Sequence, residues 1–247
     1  HCHSVLIMEK AAIVIGAGDA LGGAIARKFA RGGLVAVPSR RKAKPLERLV
    51  AQIQSADGRA EGIACDARDE EAVAALFDHV ETNIGPVEVL VFNAGAQHSS
   101  SILDMTTRIY RQVWESATFA GFVSAREAAR RMVKRRRGTI IFTGATASIR
   151  GGANFASFAG AKHALRALAE SMARELGPRG IHIGHIIVDG MISSEAVRAK
   201  FPEQVAALPA GGMLDPDHIA EAYWSMYSQP SDAWSFEMDI RPSVEHW

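Results

Sequence analysis

Ile15-Gly16-Ala17-Gly18-Asp19-Ala20-Leu21-Gly22-Gly23 joins an apolar run, Ala11 to Ile15, to an amphipathic stretch near Ala20 to Arg31. Glycines at such a junction let the backbone turn tightly and approach a pyrophosphate, whose charge then meets a helix N-terminus. The spacing is not the ordinary Gly-x-Gly-x-x-Gly, because position 21 is Leu. A glycine turn between strand and helix predicts the phosphate-binding end of a doubly wound α/β fold, with Gly16, Gly18, Asp19, Leu21 and Gly22 as candidate cofactor contacts.

The same rhythm continues along the chain. Runs rich in Val and Ile predict strands at Ala11 to Ile15, Leu34 to Val37, Ala60 to Ala64, Val87 to Phe92, Thr139 to Phe142, His182 to Val188 and near Phe236 to Ile240. Between them, helices are predicted near Pro45 to Ala56, Asp69 to Thr82, Thr106 to Arg136 and Phe155 to Leu176, the last closed by Gly177-Pro178. The expected fold is a Rossmann-type parallel sheet of about seven strands with helices on both faces, as one domain over residues 8–247. Residues 191–215 break the rhythm with Pro202, Pro209 and Gly211-Gly212 among apolar residues. They read as a lid over a mostly apolar pocket, or as a loop filling a surface gap.

Composition narrows the function classes. A net charge of +1 on 247 residues gives no electrostatic case for nucleic acid or a membrane surface, so a small-molecule substrate is expected. The basic run Lys134 to Arg137 ends a helical stretch, where cations suit the negative helix terminus. No apolar run reaches membrane-spanning length, and the two cysteines, Cys2 and Cys65, form no disulfide framework, so a cytoplasmic location is expected. Residues 1–7, with His1, Cys2 and His3, read as an extension ahead of Met8, and no metal site is expected.

Cofactor preference follows from what stands after the second strand. Enzymes that use NAD carry an Asp or Glu about 20 residues beyond the glycine loop, on the ribose hydroxyls. From Ala20 to Leu46 there is no acidic residue, and Ser39, Arg40 and Arg41 offer a hydroxyl and two guanidiniums to a 2′-phosphate. NADP(H) is therefore expected over NAD(H).

The glycine loop resembles the Thr-Gly-x-x-x-Gly-x-Gly loop of the short-chain dehydrogenase/reductase family, with Ile15 for Thr and Ala20 for the middle Gly. The resemblance runs from Glu9 to about Ile240 in the family's order. Cys65-Asp66-Ala67 resembles the element that touches adenine, and Asn93-Ala94-Gly95 matches the motif after the fourth strand. Gly190, after Asp189 in place of a Pro, matches the Pro-Gly turn, and Ile192 and Ser194 fall where the family touches the nicotinamide amide.

The resemblance implies a catalytic tetrad of Asn, Ser, Tyr and Lys, of which Lys162 alone is found. Phe158 stands at the Tyr position, Ala145 at the Ser position and Thr118 or a neighbour at the Asn position. A phenylalanine neither gives nor takes a proton, whereas a tyrosine beside an ammonium group can do both. Thr146, Ser148 and His98 are candidate substitute acids; Thr146 can equally bond its own backbone, and His98 can be a surface loop residue.

The expected activity is NADP(H)-dependent oxidoreduction of a small, largely apolar carbonyl or enone. The alternative is a dinucleotide-binding sensor or oligomer partner with little turnover. The resemblance also implies a homodimer or homotetramer packed through the helices at Thr106 to Arg136 and Phe155 to Leu176.

Overall fold

The computed structural model describes residues 9–95 and 97–245; the stretch before Glu9, with the start expected at Met8, lies outside them. The first half of the chain runs β1 (Ala11–Ile15), α1 (Leu21–Arg31), β2 (Val35–Arg40), α2 (Lys44–Ser55), β3 (Arg59–Ala60), β4 (Ile63–Ala64), α3 (Glu70–Asn83) and β5 (Val87–Phe92). Then come α4 (Thr107–Trp114), a π-helical turn (Glu115–Phe119), α5 (Ala120–Arg135), β6 (Gly138–Ala145), α6 (Ala156–Leu176) and β7 (Ile181–Val188). The remainder holds β8 (Met191–Ile192), α7 (Glu195–Lys200), α8 (Pro202–Ala207), β9 (Met213–Leu214), α9 (Pro216–Tyr227) and β10 (Glu237–Ile240).

The main sheet is wholly parallel, in the order β10-β7-β6-β5-β1-β2-β3, with β4 also on β2. The chain reverses its direction of winding between β1 and β5, so the ends of these neighbours frame the crevice where such sheets bind ligands. β1, β5 and β7 are buried along their whole length, because successive side chains enter opposite, helix-covered faces. Ile13, Ile15, Leu90, Phe92 and Phe142 pack toward α3, α5 and α6, while Val14, Val89, Val91 and Ile141 pack with Phe29 of α1 and Tyr223 of α9.

Two elements differ from the sequence expectation. The third strand is two short pieces: Glu61 still donates to the Ala36 carbonyl, and the ladder lapses at Gly62, which lies close against Leu46 and Val50 of α2. The long helix predicted over Thr106 to Arg136 is interrupted by the π turn, which packs on α6. Residues 191–215 hold two short helices and a two-stranded sheet, Met191–Ile192 beside Met213–Leu214.

Candidate active site

The glycine loop is closed by its own backbone. Gly16, at φ +83°, faces the end of β5 so closely that a Cβ would lie 2.7 Å from the Ala94 nitrogen and the Asn93 carbonyl. Asn93 returns the contact, its amide donating to the Gly16 carbonyl at 3.3 Å. The backbone N–H groups of Gly16 and Ala17 both donate to the Ser39 carbonyl. A Cβ on Gly22 would meet the Gly16 oxygen at 2.4 Å and the Ala17 Cα at 2.7 Å, atoms that cannot swing aside. Gly22→Ala is therefore expected to destabilise the protein by about 3 kcal/mol, read as a lower urea midpoint at unchanged m-value. An unchanged midpoint shows that the loop relaxes freely.

The residues after β2 and β4 stand beside this loop. Arg40 lays its guanidinium over Gly18, with Nη1 3.4 Å from where a Cβ would be, and among the described residues no carboxylate pairs with it. Ser39 does not present an accessible hydroxyl. Its side chain is 1 % exposed and Oγ has no hydrogen-bond partner among the described residues, so its visible task is to hold the loop through its carbonyl. Asp19 is also engaged elsewhere, in an exposed ion pair with Arg48. Asp66 grips Arg68 at both oxygens, and that bond holds its carboxyl down at about 2. Arg41 adds to the positive field at Asp66. Cys65 is buried, and burial pushes its thiol up to about 11, which makes it an inert wall residue. Ala67 packs against the core face that Phe77 and Phe92 share.

Lys162 is the focus of the other side. It is 5 % exposed, and Nζ donates to the Thr143 carbonyl at 2.9 Å, lies 3.5 Å from the Cβ position of Gly95, and sits 5.8 Å from the Phe158 ring centroid. Burial lowers its ammonium from 10.5 to about 8. Thr118, in the π turn, donates its hydroxyl to the Ala161 carbonyl at 2.8 Å and so ties that turn to the residue beside Lys162. Lys162, Phe158, Thr118 and Gly95 are thus together. Ala145 ends β6, and its N–H donates to Ser148 Oγ at 3.0 Å. The Thr146 hydroxyl donates to Asp189 Oδ1 rather than to its own backbone. His98 is half-buried in the loop after β5, and no described contact brings it to Lys162.

Gly190 turns the chain after β7 at φ +153°, with Pro242 and Leu214 close above it. Ile192 pairs with Leu214, and the Ser194 hydroxyl accepts from the Val197 N–H, which commits it as the cap of α7. A hollow of about 410 Å³ lies within residues 193–215, lined by Val205, Leu208 and Met213 but also by Arg198 and Asp215. None of its lining residues is among those around Lys162.

Sequence reading missed two clusters. Asp189 receives Thr146, Arg150 at 3.3 Å and Arg241 at 3.9 Å. His185, wholly buried, bonds Glu237 through Nδ1 at 2.9 Å, and Glu237 is clasped by Arg166. Burial opposes the Glu237 charge, yet Arg166 and His185 hold its carboxyl below the usual range, while burial lowers His185. Among the described residues no group of His, Cys, Asp and Glu is arranged to hold a metal, and no helix is long and apolar enough to cross a membrane.

A family profile described as short chain dehydrogenase matches residues 10–205. The chain is 30 % identical to the 7alpha-hydroxysteroid dehydrogenase of Escherichia coli over 230 residues, 91 % of this chain and 89 % of that one. It is 37 % identical to the 3-oxoacyl-acyl-carrier-protein reductase MabA of Mycobacterium avium over 138 residues, 56 % of this chain and 54 % of that relative, so this match spans about half of its length. Among solved structures, a short-chain dehydrogenase from Rhodopseudomonas palustris superposes with a TM-score of 0.81 at 45 % identity, covering 94 % of this chain and 98 % of the other. A metagenomic short-chain oxidoreductase in complex with NADP gives 0.80 at 27 % identity, over 96 % and 99 %.

Proposed function

The chain belongs to the short-chain dehydrogenase family, and from that premise we propose that it is an NADP(H)-dependent oxidoreductase of a small, largely apolar carbonyl or enone compound. The observation that carries the cofactor choice is Arg40, laid over Gly18 with no carboxylate pairing it among the described residues. A 2′-phosphate would fill that role, and the solved NADP complex of a related oxidoreductase supports the reading. The glycine loop also fits a dinucleotide: at Gly16 and Gly22 side chains are excluded by neighbouring backbone, which leaves main-chain groups at the helix N-terminus to meet phosphate.

In this reading Gly16, Gly18, Leu21 and Gly22 hold the pyrophosphate, and Arg40 and Arg41 the 2′-phosphate. Cys65, Asp66 and Ala67 wall the adenine, and Asn93, Ala94 and Gly95 close the crevice floor. Lys162 binds the nicotinamide ribose, and Gly190, Ile192 and Ser194 face the nicotinamide amide. The bound cofactor supplies the hydride. Phe158 and Ala145 occupy the family's Tyr and Ser places, so the chain's own proton-handling differs from the family's. Lys162 contributes a positive field near developing negative charge, which also suits conjugate reduction of an enone or enoyl thioester. Residues 191–215 act as the lid, and homo-oligomers form through α4, α5 and α6.

NADPH is expected to bind at least tenfold more tightly than NADH in a fluorescence titration, and Arg40→Ala to weaken NADPH by about 1.5–3 kcal/mol with little change for NADH. Equal affinities, or an indifferent Arg40→Ala, remove the assignment. A dinucleotide-binding sensor is the second reading, favoured by Phe158 at the proton-donor place. NADPH consumption with any member of a ketone and enone panel separates the two.

A further inference from the structure

We infer that Thr146 and Asp189 are the proton path of this site: Thr146 takes the proton of a substrate hydroxyl, and Asp189 is the positioning residue that takes Thr146's own. The inference rests on the oxidoreductase reading above and adds how the chain moves a proton where Phe158 and Ala145 cannot.

Four observations converge on it. Thr146 directly follows Ala145 at the end of β6 and is half-buried, whereas the other hydroxyls nearby, Ser148 and Ser157, are each 1 % exposed. Ser148 already accepts the Ala145 N–H. The Thr146 hydroxyl has one proton, and that proton points at Asp189 Oδ1. Its oxygen therefore keeps lone pairs to accept from a donor, and the turn that Thr146 opens packs against α6, the helix that carries Lys162, which suits a substrate that brings a hydroxyl donor. Finally, Asp189 is 3 % exposed and faces two cations, Arg150 from the loop after Ser148 and Arg241 from the segment after β10. Burying a carboxylate at the end of a core strand is costly without such partners. Here Arg150 and Arg241 supply the opposite charge.

In alcohol oxidation the substrate O–H bond breaks, a new Thr146 Oγ–H bond forms, and the former Thr146 proton bonds to Asp189 Oδ1. The carbon–hydrogen electron pair of the same alcohol leaves as hydride to an oxidised nicotinamide dinucleotide, the co-reactant, and the carbonyl remains. Reduction runs the same proton steps backward.

The test reads binding as well as turnover. Protein saturated with NADPH, which cannot oxidise an alcohol, is titrated by ligand-observed NMR with cyclohexanol, 2-octanol and 1-phenylethanol and with their methyl ethers, which lack the donor. The alcohols should bind about tenfold more tightly than the ethers. Thr146→Val should erase that preference and Thr146→Ser restore it. With NADP+, Thr146→Val and Asp189→Asn should each slow oxidation of the bound alcohols about 100-fold or more, with unchanged NADPH affinity. Thr146→Val keeps the test open if Asp189→Asn does not fold. Equal binding of alcohols and ethers, no binding of any of them, or a Thr146→Val protein that behaves as wild type overturns the inference. When NADPH itself binds, such a result leaves the cofactor assignment standing; when NADPH fails to bind, both fall.

Discussion

Phe158→Tyr combined with Ala145→Ser is expected to raise NADPH-dependent reduction of simple ketones about 10²- to 10⁴-fold over wild type. The site is already arranged for the new phenol. Lys162 Nζ lies 5.8 Å from the Phe158 ring centroid, so a phenol on that ring would stand beside the ammonium group. An ammonium so near favours phenolate and brings the tyrosine toward the pH where it exchanges protons readily. A serine at 145 would extend from the end of β6, where it can polarise the carbonyl that the tyrosine protonates. Both changes are needed, because a proton donor without the polarising hydroxyl addresses half of the barrier. Steady-state rates over a ketone panel decide it. A wild type as fast as the double variant means that another group already supplies the proton, and Thr146 with Asp189 is then the first to remove.

The sheet was legible because a parallel strand buried on both faces writes a nearly continuous apolar run; Ala11–Ile15 is one, and Val87–Phe92 is broken only at Glu88. The short third strand was less so: whether Gly62 continues the ladder depends on how α2 leans on it. The π turn at Glu115–Phe119 left no mark in sequence because one extra residue in one turn scarcely disturbs an apolar stripe.

The site divides the same way. Glycines with backbone in their Cβ positions announce themselves, as Gly16 and Gly22 do. Side-chain commitments across the sheet do not. Asp19 reads as a loop residue for a cofactor until Arg48, one helix away, is seen to hold it. Asp189 reads as a substituted turn residue until Thr146, from the neighbouring strand end, donates to it. Glu237, Arg166 and His185 come from β10, α6 and β7, and only the packing of these elements joins them.

Lys162→Met should move stability and cofactor affinity in opposite directions. Burial lowers the Lys162 ammonium from 10.5 in the unfolded chain to about 8 in the fold. Between those values the unfolded state binds more protons than the folded one, so stability rises with pH across that window. Below about pH 8 both states are charged, and the folded one carries the full burial penalty, roughly 3 kcal/mol. Methionine, of similar length and uncharged, escapes that penalty but forgoes the bond to the Thr143 carbonyl. The variant should therefore be about 2 kcal/mol more stable at pH 7, with the advantage shrinking from about pH 8 and gone by about pH 10.5. NADPH should bind it more weakly by about 1–3 kcal/mol, the worth of a lost charge-assisted bond. Urea unfolding at pH 7 and pH 10.5, with an NADPH titration at pH 7, separates the two effects. A less stable variant at pH 7 shows that the bond to Thr143 outweighs the burial of the charge, and an unchanged NADPH affinity removes Lys162 from the cofactor site.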